Sequence, residues 1–185
     1  ILLVIITYLF FVAKWRFDAS RDYAMLGPEA PKIEINNKVY RDLNKNGELD
    51  TYENPEAQIE DRVEDLINQM NIHEKAGAIF IDMIGINSDG TPMEYPTFSD
   101  PFSFLMEYSS AKIVKKKMNH FNITASYPKE KMLAWNNALQ KMGEKTRLGI
   151  PITIASDPRH GVPSKFGASI HTPYFSSWPS ALGMG

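Results

Sequence analysis

The apolar and polar positions divide the chain into blocks of different period. Ile1 to Ala13 contains no charged residue, and the polar stretch Asp18 to Arg21 follows closely. Its 13 residues fall short of the roughly 20 that a helix needs to cross a bilayer. The run reads as a signal-peptide core or signal anchor, or as a buried strand or helix of the domain. The abrupt polar flank favours targeting, although Lys14 and Arg16 beyond it run against a simple export orientation.

Further on, Ile33-Glu-Ile, Asn36-Asn37 and Lys38-Val-Tyr form a pattern that predicts a short hairpin. Ile59, Val63, Leu66, Ile67 and Met70 recur at helical spacing, with acids and Arg62 on the other face. Asn71 followed by Glu74 predicts a capping box at the start of a second helix. That helix runs into Ala78-Ile-Phe-Ile81, which either completes it or becomes a strand. Residues 85–127 are less regular, with a helix expected around Ala111 to Met118 and Lys115–Lys117 as its solvated face. Asn122-Ile-Thr124 matches a glycosylation sequon, a pattern common by chance.

From Pro128 the pattern sharpens. Proline suits the first turn of a helix, Met132, Trp135, Leu139 and Met142 supply its apolar stripe, and Gly149 fits its stop. Ile150 to Ala155 then reads as a buried strand, with Pro151 tolerable at its start. It runs into the polar cluster Ser156-Asp-Pro-Arg-His-Gly161. Helix, short loop and apolar strand ending in polar residues is the grammar of an α/β fold.

Composition narrows the function classes. With 43% hydrophobic and 23% charged residues the chain is globular in character, and its net charge of −2 offers nothing to a polyanion. Nucleic acid is therefore not an expected partner. The absence of cysteine excludes disulfides, thiolate zinc sites and a cysteine nucleophile. The chain opens on Ile and closes on Ala181-Leu-Gly-Met-Gly185 without a recognisable terminal element, so it is expected to be part of a longer protein.

Two clusters carry candidate chemistry. Asp42, Asn44, Asn46, Gly47 and Glu53 match D-x-[DN]-x-[DN]-G-x5-E at every defined position. Calcium needs six to eight oxygens from a curled loop. Side chains of Asp42, Asn44, Asn46 and Glu53, the Glu48 carbonyl, and Asp50 directly or through water are the expected donors. The other reading is an acidic surface turn. A single loop preceded by a strand is no calcium sensor, so the metal is expected to be structural. In the second cluster, Asp157 has two acceptor oxygens for the hydroxyls of one sugar ring. Arg159 could keep Asp157 ionised or bind sugar, and His160 could donate or be a satisfied buried histidine. From these residues alone an Asx turn opening a helix is the favoured reading, and sugar binding the other.

Arg147 to Gly161, followed by Phe175-Ser-Ser-Trp-Pro-Ser-Ala-Leu-Gly183, resembles the first domain of family 3 glycoside hydrolases, which include β-glucosidases, β-xylosidases and exo-glucanases. Arg41 to Asp50, Ile59 to Ile67, Asn71 to Lys75 and Ile113 to Ile123 resemble earlier parts of such proteins, in the same order.

The resemblance implies an α/β fold, a partial TIM-type (β/α) barrel incomplete at its C-terminus and preceded by an N-terminal extension. Residues 1–17 would be a signal peptide or membrane anchor, 18–55 a leading segment with the calcium-type loop 42–53, and 56–185 the first part of the barrel. It implies an exo-acting, retaining β-glycosidase that removes terminal non-reducing β-linked sugars from oligosaccharides. Asp157, Arg159 and His160 would bind substrate, the protein would be exported, and no cofactor would be needed for catalysis. Asp-Pro-Arg-His-Gly departs from the Asp-Gly-Pro type of loop in some members, so sugar preference does not carry over. The nucleophile and acid/base come from later parts of such enzymes. No residue here is therefore catalytic, and this chain alone should be inactive. The alternatives are a calcium-binding module resting on residues 42–53, or a catalytically inactive carbohydrate-binding relative.

Overall fold

A computed structural model describes residues 2–98, 100–156 and 173–175, apart from the side chains of 101 and 102. The apolar start of the chain is helical and continues well past Ala13: α1 spans Leu2–Tyr23. Lys14 pairs with Asp18 one turn on at 2.6 Å, which supports the continuation through the polar stretch. The front half is no core element, because Leu2 to Ile6 and Leu9 to Phe11 are exposed. No helix among the described residues is long and apolar enough to cross a membrane. The rear half is docked. Asp22 is fully buried 3.1 Å from the Lys115 ammonium, the Tyr23 hydroxyl donates to Glu94, and the Arg16 guanidinium lies over the Tyr95 ring.

The expected hairpin is present, with β1 (Lys32–Ile35) antiparallel to β2 (Lys38–Arg41). Asn36 and Asn37 both take positive φ, 52° and 62°, as a tight two-residue hairpin turn requires. Helix α2 (Ile59–Gln69) has the predicted period but an unexpected orientation. Its polar side faces the protein: Arg62 donates twice to the Tyr52 carbonyl, and Asp65 accepts from the Tyr52 amide. Ile59, Val63 and Ile67 on the other side are 69, 49 and 47% exposed, an apolar stripe that faces solvent.

Helix α3 (Ile72–Ala78) opens with the predicted capping box: Asn71 accepts from His73 and Glu74 amides, and Glu74 accepts from the Asn71 amide. After a two-residue break the chain becomes strand β3 (Ile81–Ile84). Gly77 lies where α3 crosses the main chain of Lys116 and Lys117, too closely for any side chain.

Strand β4 (His120–Ile123) has no counterpart in the sequence expectations and contains the sequon residue Asn122 between two hydrogen-bonded neighbours. The helix expected at 111–118 is a single π-helical turn, Ala111–Lys115. Of the three expected to form a solvated face, Lys116 is exposed, Lys115 turns its ammonium onto buried Asp22, and Lys117 is half-buried beyond the end of the turn. Lys112 beside them is 3% exposed, with its ammonium 2.9 Å from Asp82 and donating to the Met83 carbonyl.

Helix α4 (Lys129–Glu144) follows Pro128 and buries Trp135, Leu139 and Met142. It stops five residues before Gly149, whose φ of +59° instead serves the turn that leads to β5 (Thr153–Ala155). That strand is shorter than predicted, and Thr153 and Ala155 are exposed rather than buried.

Strands β3, β4 and β5 form a parallel sheet in chain order, so the described fold is α/β with a small parallel sheet. One face packs Ile84, Phe121 and Ile123 against Trp135, Leu139 and Met142, joined by Ile86, Ile113, Val114, Met118 and Ile152. Residues alternate across a strand. Ile81, Met83, His120, Asn122, Thr153 and Ala155 therefore share the other face, which no described element covers with a comparable core.

Candidate functional site

Parallel strands deliver their C-terminal ends to one edge. Here that edge is formed by Gly85 after β3, Thr124 after β4 and Ser156 after β5. Side chains fix it from the helix side. Trp135 on α4 is 1% exposed, and its indole N–H donates to the Gly85 carbonyl at 3.1 Å. Thr124 donates through its amide and hydroxyl to the Ile84 carbonyl, linking the ends of β3 and β4. Ser126 is buried and accepts from the Tyr174 amide at 3.0 Å, while Phe175 packs against the core, so the chain returns to this edge after residue 172. Asp157, Arg159 and His160 lie outside the described residues. Trp135, Thr124 and Ser126 had no motif to mark them as builders of this edge. Only the stripe containing Trp135 was visible, as a core pattern.

The start of β5 is fixed with equal care. Gln140 brackets Ile152, accepting from its amide at 3.1 Å and donating to its carbonyl at 2.6 Å. Arg147 donates to both oxygens of Glu74 and to the Gln69 carbonyl. Burial opposes ionisation of Glu74, but the hydrogen bonds from Arg147 and the Asn71 amide outweigh it and hold its carboxyl below the usual range. Tyr52 is buried and donates its hydroxyl to the Leu148 carbonyl; burial, reinforced by Glu53, pushes that phenol well above its ordinary range.

In the calcium-type loop, Gly47 takes φ +85°, the turn expected of the sixth position. Asp42 is 1% exposed, and its two oxygens accept from the amides of Asn46 and Gly47. Glu53 accepts from the amides of Leu43, Asn44 and Asp50. Asn44 and Asn46 both direct their amide nitrogens at one oxygen of Asp50, at 2.7 and 2.8 Å, and Gln69 donates to the other at 3.0 Å. The loop thus brings Asn44, Asn46 and Asp50 to a common point and spends Asp42 and Glu53 on backbone amides. Glu48 is exposed, and its amide donates to Asn46. Among the described residues no group of three or more His, Asp or Glu is arranged to hold a metal ion. A half-turn of the Asn44 and Asn46 amides would bring their oxygens to the Asp50 carboxylate, so the donor types fit calcium although the hydrogen-bonded arrangement is not itself a cage.

The loop is bound tightly to the α4–β5 turn. Lys45 donates to the carbonyls of Glu144 and Thr146 at 2.6 and 2.7 Å. Glu144 pairs with Arg41 and accepts from the Ala30 amide, and the Gly27 amide donates to the Lys145 carbonyl. Burial draws the Lys45 ammonium below its usual range, with Glu144, Asp42 and Glu53 pulling the other way.

No family model matches the chain. Among individual proteins, a periplasmic β-glucosidase/β-xylosidase of Dickeya chrysanthemi is 32% identical over 157 residues, covering 84% of this chain and 23% of that protein. β-Glucosidase C of Emericella nidulans is 34% identical over 137 residues, covering 74% of the chain and 20% of its own length. A probable β-glucosidase C of Aspergillus flavus is 30% identical over 168 residues, covering 90% and 23%. The chain thus spans between a fifth and a quarter of the length of these relatives. With matches to β-glucosidases and β-xylosidases running through most of its length, the chain belongs to glycoside hydrolase family 3.

Proposed function

We propose that the chain is the front part of an exported, exo-acting, retaining β-glycosidase of β-glucosidase type. Its sheet would be the opening of a TIM-type barrel. The observation that carries the reading is where the resemblance falls on the fold. The Asp157-Pro-Arg-His-Gly161 motif begins two residues after β5, the third consecutive strand of a parallel sheet. In β/α barrels the residues following strand C-termini build the active site. Asp157 then accepts hydrogen bonds from hydroxyls of the terminal non-reducing sugar, with Arg159 and His160 beside it. A barrel takes roughly 250 residues, whereas only 130 lie between 56 and 185. Retention needs two carboxyl groups about 5–5.5 Å apart. The remainder of the protein supplies both, and this chain alone is inactive.

The assay is Asp157→Ala in the full-length protein, with an aryl β-glucoside as substrate. Turnover should fall about a hundredfold or more, with an unchanged circular dichroism spectrum. Near-wild-type kinetics would refute sugar contact by Asp157.

Export is supported by the periplasmic Dickeya relative and by the exposed apolar front of α1, read as a signal peptide or membrane anchor. For the loop at 42–53 we propose a structural calcium held by Asp42, Asn44, Asn46, Asp50 and Glu53, with the Glu48 carbonyl. The ion would neutralise the loop's carboxylates and stiffen it, with no part in the reaction. A free-standing calcium module is disfavoured by the hydrogen bonds from Lys45 and Tyr52 to the α4–β5 turn.

A further inference from the structure

We propose that Lys45 is a positioning residue, a brace that sets the turn from which β5 starts and so the edge where the sugar is gripped. This rests on the glycosidase reading. Lys45 occupies the fourth place in its loop, a position that gives no ligand to a calcium ion. Its φ is 62°, a left-handed conformation that favours glycine or asparagine. A lysine there is demanded neither by the loop's own hydrogen bonds nor by its backbone. Its side chain leaves the loop altogether and ends on two main-chain carbonyls, Glu144 at 2.6 Å and Thr146 at 2.7 Å. Carbonyls at the end of a helix have no intrahelical donor and carry partial negative charge, so an ammonium group suits them better than a neutral amide.

What Lys45 holds is the origin of β5. The turn 144–149 is also gripped by the Tyr52 hydroxyl on Leu148 and by Leu43, which would lie 2.9 Å from any Cβ on Gly149. All three residues belong to the same loop. From Gly149 only Ile150 and Pro151 separate this turn from Ile152, which Gln140 fixes before the strand begins at Thr153. Proline stiffens that short link. A shift at 144–149 therefore passes directly into the strand. Gln140 gives a second hold, so loss of Lys45 should loosen the register of β5 without unpairing it.

The test uses the full-length protein with Lys45→Met and Lys45→Arg, reading kcat and KM for an aryl β-glucoside, melting temperature, and amide hydrogen exchange across 144–155. Lys45→Met should raise KM about fivefold or more and speed exchange at 146–153, beyond any loss of folded protein. Lys45→Arg should restore most of both, since a guanidinium can also reach paired carbonyls. If Lys45→Met does not fold, Tyr52→Phe removes one hydroxyl from the same turn with little change of shape, and should shift KM and exchange the same way by less. A KM within about twofold of wild type, or lowered kcat and melting temperature with exchange at 146–153 unchanged, overturns the brace. An inactive wild-type protein overturns the glycosidase reading instead, and exchange alone then decides whether Lys45 holds the turn.

Discussion

Replacing Gly77 with alanine tests whether the crossing of α3 over the 116–117 main chain is as tight as described. Gly77 lies inside α3, and in an open helix Gly→Ala stabilises by roughly 1 kcal/mol. Here the added Cβ would sit 2.3 Å from the Lys117 carbonyl oxygen and 2.5 Å from that of Lys116. Both atoms are backbone, so no side chain can turn away, and relief requires moving a helix or the turn that leads into β4. Overpacking of this kind typically costs about 1–3 kcal/mol, and a clash with backbone belongs at the upper end. Net of the propensity gain, Gly77→Ala should lose about 2 kcal/mol. The assay is urea denaturation of the full-length protein, with Gly27→Ala as control. A Cβ at Gly27 meets only the Lys145 carbonyl at 3.5 Å, an ordinary contact. Gly27→Ala should stay within about 0.5 kcal/mol of wild type. If Gly77→Ala is as stable as wild type or more so, the crossing is looser than described and the reasoning fails.

Two further outcomes follow from polar contacts. Arg147→Ala strips Glu74 of its main charged partner and should cost about 1–2 kcal/mol at pH 7, much of Arg147 being exposed. Because the folded pKa of Glu74 is depressed, the stability it contributes is present above its unfolded value near 4.5 and is lost as pH falls through the folded value. The gap between wild type and Arg147→Ala should accordingly narrow as pH falls below that unfolded value; a gap that does not narrow in acid would contradict the assignment. Adding calcium to chelator-treated full-length protein should raise its melting temperature, and Asp50→Ala should abolish the rise. A flat titration rules out the structural ion.

Local rules were legible where a few neighbouring residues settle the geometry. Asn36-Asn37 specified its turn, Asn71 and Glu74 their capping box, and the Met132–Met142 stripe the buried face of α4. The misses came from tertiary context. His120-Phe-Asn-Ile123 is too short and too polar to read as an inner strand, because one face of its sheet is open. Lys112 is tolerable in the core only because Asp82 and the Met83 carbonyl meet its ammonium. The stripe of α2 gave the period but not the direction, which is set by Arg62 and Asp65 gripping Tyr52. Gly149 stands close enough to α4 to look like its stop, while its real role depends on Leu43 about a hundred residues earlier. The edge after β3 and β4 was not readable, since Thr124 and Ser126 are ordinary residues until the strands align, and the motif at Asp157 lies outside the described residues.

The contacts of the 42–53 loop have a consequence for the order of events during synthesis. Lys45 and Tyr52 meet partners 96 to 101 residues further along the chain. At about 5–20 residues per second, the ribosome delivers those partners roughly 5–20 s later. Any shape the loop holds in that interval rests on hydrogen bonds within residues 42–53 and on those from Gln69 of α2. The many side-chain contacts within residues 42–53 therefore look less like redundancy than like a means of waiting. A loop that keeps its form until the end of α4 arrives offers a ready seat for the turn that follows it, with Lys45 and Tyr52 already in place to receive the carbonyls of Glu144, Thr146 and Leu148.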